Sequence, residues 1–251
     1  MNRMRVDLTA DRSVTVAAGD TTLFRYAYGA PQPHLTGGLL PSPVSWSPPQ
    51  DSPGHARHVT LTELSATATT ATIAHHLQWP AVDEWRSLTA SGAGRDTWLL
   101  LLENTVTNAT GQPLPLDGPA LSLPALTAPP AGRAEWRAAH SATATVVVVD
   151  DNANLQHPPR WSAGFGPAPL EGVSLGAERT AAFRYAVLIA PPGHHAPTLA
   201  GLGRDALAGP LLPAPRGHHC HADLTSRRQP YRRRTRVLTR QCETRTTPPS
   251  P

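Results

Sequence analysis

Frequent proline and glycine residues are the feature that most limits what this chain can fold into. The 251 residues include 28 prolines and 19 glycines, which divide the chain into short apolar segments. Because proline interrupts helices and central strands alike, long helices are excluded and short strands joined by turns are expected. The segments between the interruptions are rich in valine and threonine, which favour strands. The sequence therefore predicts an all-β protein.

Apolar segments locate the predicted strands. A hairpin is predicted from Ser13–Ala17 and Thr21–Tyr28, followed by a proline-rich loop at 29–57. Further strands are predicted at His58–Ala66, Thr69–Trp79, Glu84–Thr89, Thr97–Asn108, Ala142–Asp150 and Thr180–Ala190. The last three contain the longest apolar runs, which indicates buried central strands. Only Leu199–Leu207 has the apolar spacing of a helix.

The order of these segments predicts an antiparallel β-sandwich with one short helix near its C-terminal end. Nine or ten short strands without alternating helices are typical of two packed antiparallel sheets. We assign residues 1–215 to this single domain. No run of about 18 apolar residues is present, so no membrane-spanning helix is predicted. The N-terminal residues lack the pattern of a secretory signal, and a cytoplasmic location is expected.

Residues 216–251 differ in composition from the rest of the chain. They carry 9 arginines against two acidic residues, whereas residues 1–215 carry 13 arginines against 16 acidic residues. The net charge of +4 therefore comes from this segment. High like charge with low apolar content predicts a disordered tail. The tail offers two binding hypotheses, a soft metal ion at His218–His221 and nucleic acid at Arg232–Arg236, but neither has the spacing of a known module, and no metal site is predicted.

Four stretches together resemble a known family. They are Asp11–Tyr28, ending in LFRYAY; Asp96–Pro115; Thr143–Trp161, which reads TATVVVVDDNANLQHPPRW; and Leu175–Ile189. This set resembles the actinobacterial family labelled "methane oxygenase PmoA". The resemblance implies a β-sandwich like that of galactose mutarotases and a role in carbohydrate processing. Because the histidine- and aromatic-rich segments typical of the family are missing from 29–57 and 119–140, it also implies an activity that is reduced or lost.

Polar residues after the predicted strand Ala142–Asp150 form the candidate substrate-binding site, which comprises Asp151, Asn154, His157 and Trp161. A loop at the end of a buried strand can present polar groups rigidly, here to sugar hydroxyls, with Trp161 as a stacking surface. The alternative is a structural turn in which the Asp and Asn side chains bind the backbone. Neither the catalytic residues nor a cofactor can be assigned from the sequence.

Two other residue pairs have structural interpretations. His75 and His76 are adjacent on one strand and must face opposite sides, so they cannot bind one ion together. We expect them to lie at a surface or an edge. Trp79 and Trp85 flank a proline and are expected to pack in the core.

Three functions remain open from the sequence. The first is a carbohydrate-processing protein of the mutarotase type. The second is a non-catalytic carbohydrate-binding or interaction module, and the third is nucleic-acid binding through the basic tail. Acid and base groups that converge in a cleft would favour an enzyme, whereas stacking aromatic residues without them would favour a binding module.

Overall fold

The computed structural model describes residues 3–9, 12–41, 43–48, 54–116, 121–123, 126, 132–162, 165–168 and 172–209, together with the strands at 220–225 and 237–242. Strands dominate these residues, and all strand pairs between them are antiparallel. No helix in the described ranges is both long enough and apolar enough to cross a membrane.

Two antiparallel sheets form the body of the protein. The six-stranded sheet has the order β1 (Met4–Thr9), β2 (Ser13–Ala18), β3 (Thr21–Ala27), β4 (His34–Thr36), β5 (Val44–Trp46) and β11 (Leu121–Ser122). The seven-stranded sheet has the order β12 (Trp136–His140), β13 (Thr145–Asp150), β17 (Thr180–Ala190), β9 (Thr97–Asn108), β8 (Val82–Gly94), β7 (Thr70–Gln78) and β6 (Arg57–Ala66).

Short two-stranded ladders complete the fold. They pair β10 (Leu114–Pro115) with β16 (Ser174–Leu175), β14 (Arg160–Ser162) with β15 (Gly166–Ala168), and β18 (Cys220–Thr225) with β19 (Val237–Cys242). The main core lies between the two large sheets, where Phe24 of β3 stacks on Trp98 of β9 with ring centroids 5.8 Å apart. The predicted antiparallel β-sandwich is confirmed.

The three strands predicted to be buried lie side by side at the centre of the seven-stranded sheet. Strand β9 explains why such runs are continuously apolar. Leu100 and Leu102 pack in the core between the sheets, whereas Leu99 and Leu101 point to the opposite face and pack against a second apolar cluster. Both faces of these strands are therefore covered, and alternation with polar residues is not needed.

Helix α1 (Ala196–Leu207) covers the outer face of the seven-stranded sheet. Its residues Leu199, Ala200 and Leu207 pack there against β13 and β17. The helix begins three residues before the predicted start, because Pro197 occupies the first turn, where the missing N–H costs no hydrogen bond. The prediction of one short helix after the last central strand is confirmed.

Two sequence predictions about secondary structure are wrong in part. The short strand expected at Glu84–Thr89 is the 13-residue strand β8, because hydrogen bonds to both neighbouring strands extend it through its glycine- and alanine-rich end. The segment 29–57 is not a loop throughout, since it contributes β4 and β5 to the six-stranded sheet. Strand β5 is held there by the burial of Val44 and Trp46 against the core.

The prediction of a disordered tail at 216–251 falls mostly outside the described residues. The two segments that the structure describes there, β18 and β19, pair only with each other. Residues Cys220 and Cys242 are partners in this register. The prediction for the segment as a whole stays a prediction.

The contact between α1 and the seven-stranded sheet can be tested at two glycines of the helix. A Cβ atom on Gly203 would lie 2.6 Å from Cγ2 of Val149 and 2.9 Å from Cδ1 of Leu188. We expect Gly203→Ala to lower the free energy of unfolding by about 1–3 kcal/mol through overpacking. Gly201 has no neighbour within 4 Å of the same position. Gly201→Ala should therefore raise that free energy by about 0.5–1 kcal/mol, because alanine favours helix.

Urea denaturation of the two variants measures both changes. If Gly203→Ala were as stable as Gly201→Ala, the close packing of α1 on the sheet would be contradicted.

Candidate functional site

The loop that follows β13 is a tight turn built by Asp and Asn side chains. Oδ1 of Asp151 accepts a hydrogen bond from the backbone N–H of Ala153 at 2.9 Å. The side chain of Asn154 donates to the backbone oxygen of Arg184 at 2.7 Å and accepts from its N–H at 2.8 Å. Asp151 and Asn154 are both buried. These contacts are those of a structural turn, in which Asp and Asn side chains bind the backbone.

His157 and Asp150 form a hydrogen-bonded pair at the end of this loop. Nδ1 of His157 donates to Oδ2 of Asp150 at 2.7 Å, and Nδ2 of Asn154 donates to Oδ1 of the same carboxylate at 2.7 Å. The side chain of Asp150 is 1% exposed, whereas that of His157 is 23% exposed. A buried carboxylate thus orients a histidine that reaches solvent, and this pair is the centre of what we call the His157 site (Asp150, Asn154 and His157).

The electrostatics of the His157 site follow from this geometry. The hydrogen bond to Asp150 raises the pKa of His157 above its ordinary value, and the negative charges of Asp150, Glu135 and Asp151 act in the same direction against partial burial. Burial raises the pKa of Asp150, although the hydrogen bonds from His157 and Asn154 oppose this effect. Because a neutral His157 donates through Nδ1, its Nε2 is then the acceptor nitrogen.

Trp161 lies inside the protein rather than on its surface. It is 3% exposed, its Nε1 donates to the backbone oxygen of Ala134 at 2.9 Å, and its ring lies 5.7 Å from that of Phe165. In this position the indole connects the His157 loop to the segment that leads into β12. It does not offer a ring face to a ligand from solvent.

A shallow surface hollow of about 490 Å³ is lined by residues 134–138, beside the His157 loop. The N–H of Ala134 donates to the backbone oxygen of Pro159, which joins the two segments. Two residues of the hollow carry side chains suited to a polar ligand. Glu135 forms an exposed ion pair with Arg204 at 2.6 Å, and Trp136 is half-buried. No sequence motif marks Glu135 or Trp136, because their proximity to His157 depends on the pairing of β12 with β13.

A second cluster of polar residues lies between the two sheets. His75, Arg86 and Asn104 are cross-strand neighbours on β7, β8 and β9, and all three are buried on the inner face of the seven-stranded sheet. Tyr26 of β3 faces them from the six-stranded sheet. We call this cluster, with Glu84, the Arg86 network.

Glu84 is fully buried, and its carboxylate accepts four hydrogen bonds. They come from Trp79 Nε1 at 2.7 Å, Asn104 Nδ2 at 2.6 Å, and Arg86 Nε and Nη2 at 2.6 and 3.1 Å. Arg86 also donates to the hydroxyl of Tyr26 at 2.8 Å and to the backbone oxygen of Trp46 at 3.0 Å. The buried ion pair is therefore both neutralised and hydrogen-bonded, as burial of charge requires.

The direction of the hydrogen bonds in the Arg86 network follows from Arg86, which can only donate. Tyr26 therefore accepts from Arg86, and its hydroxyl also contacts Nε2 of His75 at 2.7 Å, where it donates its own proton to the His75 tautomer that is protonated at Nδ1. Burial, reinforced by the charge of Arg86, holds the pKa of His75 well below its usual range. Neutral His75 then carries its proton on Nδ1, which faces Nδ1 of the half-buried His58 at 3.4 Å.

The expected position of His75 is wrong. It is fully buried on an interior strand, because Tyr26 supplies the hydrogen bond that a buried imidazole needs. His76 does face the other way, where its Nε2 lies 3.7 Å from Asp83. One signal for the network is present in the sequence: Glu84 and Arg86 are two residues apart and so share a face of one strand.

Of the two tryptophans expected in the core, Trp79 is buried, while Trp85 is half-buried.

No group of three or more His, Cys, Asp or Glu side chains suited to a metal ion occurs within the part of the chain that the structure describes. The metal ligands considered at His218–His221 and the basic residues Arg232–Arg236 are not covered by this finding. Residues 218–219 and 232–236 lie outside the described residues, and at 220–221 only the backbone strand is described.

No protein-family model matches this chain, and no curated protein or solved structure matches it either. Membership of the PmoA-labelled family is therefore a proposal.

The Arg86 network makes a prediction about stability. Arg86→Met leaves the buried carboxylate of Glu84 without its cation, and we expect the free energy of unfolding to fall by about 3–5 kcal/mol. The double variant with Glu84→Gln should recover part of this loss, because no buried charge remains unpaired. Arg95→Met, at a side chain that is 97% exposed, is the matched control and should change stability by less than about 0.5 kcal/mol. Denaturant unfolding of the unaltered protein, Arg86→Met, Glu84→Gln and the double variant measures the coupling, and additive effects of the two buried substitutions would contradict the network.

The His157 site makes a prediction about protonation. The pKa of His157 should lie above the ordinary value of about 6.5, and Asp150→Asn should lower it by removing the charge at Oδ2. Since the raised pKa belongs to the folded state, this histidine stabilises the fold at pH values below its unfolded pKa, and the stabilisation is lost as the pH rises through the folded pKa. NMR titration of the imidazole resonances checks the shift, and an unchanged titration curve in Asp150→Asn would contradict the pairing.

Proposed function

We propose that this protein is a β-sandwich that binds or processes carbohydrate, as the PmoA-labelled family it resembles is expected to do, and that the His157 site contacts the sugar. The observation that carries the proposal is the pair between Asp150, which is buried, and His157, which reaches solvent. A cytoplasmic location is part of the same proposal.

The chemistry of the pair suits a sugar hydroxyl, which is both a donor and an acceptor. The raised pKa of His157 increases the protonated share of the imidazole at a given pH, so Nε2 donates a proton to an oxygen in the charged form and accepts one from a hydroxyl in the neutral form. Asp150 fixes the ring orientation and stabilises the protonated form, which is the role of the carboxylate in catalytic histidine pairs.

The hollow beside the His157 loop supplies further groups of the kind that sugars bind. Glu135 is a hydrogen-bond acceptor, and its charge acts on His157. The partner cation Arg204 is exposed at the same edge and can donate, while Trp136 provides a half-buried aromatic ring. Aromatic rings beside polar side chains are usual in ligand sites that combine an apolar body with fixed polar groups.

Two forms of the proposal differ in their chemistry. In a processing enzyme, Nε2 of His157 would take the proton of the anomeric hydroxyl while the bond between C1 and the ring oxygen breaks and water protonates the ring oxygen. The reverse proton transfers would then close the ring on either face. In a binding module, the same nitrogen would only hydrogen-bond. The convergence of an imidazole with carboxylates favours the first form, and the reduced motifs of 29–57 and 119–140 favour the second.

Sugar binding tests the proposal. D-glucose and D-galactose are titrated into the protein and monitored by calorimetry, and His157→Ala should weaken the affinity about 10-fold or more, as for the loss of a hydrogen bond to a charged group. His194→Ala is the matched control, because His194 is exposed and its Nδ1 bonds to the backbone oxygen of Pro191 at 3.0 Å. Binding that is equal in both variants and in the unaltered protein would refute the site.

Polarimetry of freshly dissolved sugar distinguishes the two forms of the proposal. A rate of anomer interconversion above the buffer rate that is lost in His157→Ala indicates the enzyme. Binding without any rate enhancement indicates the module.

A further inference from the structure

Arg137 is a half-buried cation in the surface hollow beside the His157 loop. It lies on strand β12, where it is the cross-strand partner of Val148, and it lines the hollow of about 490 Å³. Val148 and Asp150 are two residues apart on β13 and share a face of the sheet. Arg137 therefore starts from the face that carries Asp150, beside the groups to which we assign the sugar.

The guanidinium of Arg137 extends back toward the His157 loop. A Cβ atom on Gly132 would lie 3.3 Å from Nη2 of Arg137. The backbone oxygen of Gly132 accepts a hydrogen bond from the N–H of Trp161 at 3.2 Å, four residues after His157. The cation thus lies next to a segment that is bonded directly to the chain that follows His157.

The nitrogens of this guanidinium differ in their surroundings. Nε is buried and has no hydrogen-bond partner within the described part of the chain. Nη1 and Nη2 are not buried in this way, and among the described residues they form no ion pair and donate no hydrogen bond. Nη1 and Nη2 are therefore the atoms open to solvent and to a ligand.

The carboxylates beside Arg137 are already bonded to other donors. The two oxygens of Glu135 accept from Nε and Nη2 of Arg204 at 2.6 and 3.3 Å. Both oxygens of Asp150 accept hydrogen bonds within the His157 site. The positive charge of Arg137 consequently has no counter-ion among the described residues of the hollow.

Partial burial makes this cation a better anion ligand than an exposed arginine. Solvent screens an exposed ion pair until it contributes little to binding. At Arg137 part of that screening is removed, and because the buried stem restricts the side chain, less conformational entropy is lost when an anion binds. Nη1 and Nη2 form a planar fork that matches the two oxygens of a carboxylate. One uncompensated charge favours a monoanion, since a second negative charge would lie unpaired near Glu135.

We propose, on the basis of the function proposed above, that the sugar at the His157 site is a uronic acid and that Arg137 binds its carboxylate through Nη1 and Nη2. The sugar ring lies along the hollow beside Trp136, and its hydroxyls face His157. Arg137 is then the residue that determines specificity, and it takes no part in proton transfer.

Three related sugars separate this inference from the proposed function. D-glucose, D-glucuronate and D-glucose 6-phosphate are titrated into the full chain and followed by calorimetry. D-glucuronate should bind about 10-fold more tightly than D-glucose, as for a hydrogen bond to a charged group. Equal binding of these two sugars would overturn the inference and leave the proposed function standing, whereas binding of none of the three would refute both. Tighter binding of D-glucose 6-phosphate than of D-glucuronate would overturn the assignment of a monoanion.

Variants of Arg137 locate the carboxylate. Arg137→Gln should weaken D-glucuronate about 10-fold and leave D-glucose unchanged, a difference that a merely structural role would not produce. Arg137→Lys keeps the charge without the planar fork and should have an intermediate effect. Arg95→Gln is the matched control, because Arg95 is 97% exposed in the turn between β8 and β9, at the other end of the sheet from Asp150, and should change neither affinity. Equal losses of both sugars in Arg137→Gln would overturn the role in specificity.

The thermal midpoint of each variant shows whether the fold is intact. If Arg137→Gln unfolds the protein, the salt dependence of the unaltered protein serves the same purpose. Raising the ionic strength from about 0.05 to about 0.5 M should weaken D-glucuronate several-fold and leave D-glucose unchanged, because salt screens the ion pair alone. An affinity for D-glucuronate that does not change with salt would overturn the pairing with Arg137.

Discussion

The charge of Arg86 is the constraint on which much of this structure depends. An arginine side chain that is 1% exposed must have its donors satisfied inside the protein, and its partners come from three strands, β8, β3 and β5. Glu84 lies on the same strand, Tyr26 and Trp46 lie in the opposite sheet, and Asn104 shares the carboxylate of Glu84. These bonds fix how the two sheets face each other, which apolar contacts alone would leave less specific.

The parts of the fold that could be predicted are those that depend on local sequence. The strands Thr97–Asn108 and Thr180–Ala190 were predicted with the bounds that the structure has, because a continuous apolar run can be covered on both faces only at the centre of a packed sheet. The extension of β8 to Gly94 and the burial of β5 could not be predicted in the same way. They depend on neighbouring strands, which override the weak strand preference of glycine and serine.

The same distinction applies to the sites. The loop with Asn154 and His157 is recognisable because polar residues follow a buried strand directly, although the sequence does not predict that Asp150 pairs with His157. Of the Arg86 network, only the spacing of Glu84 and Arg86 is visible in the sequence, and no motif marks the hollow at Glu135. The hydrogen bond from Tyr26 to His75 joins residues 49 positions apart, and no local pattern contains it.

Arg184 connects the His157 site to the rest of the fold. Its side chain bonds to Glu103, to Asp151 and to the carbonyl of Leu207 at the end of α1, while its backbone N–H and oxygen hold Asn154. Because Asn154 also donates to Asp150, the carboxylate that orients His157 is held by a central strand and not by the loop alone. A ligand that meets His157 therefore finds the imidazole already in place and does not have to order the loop, and this preorganisation is what a weakly binding ligand such as a sugar needs from its site.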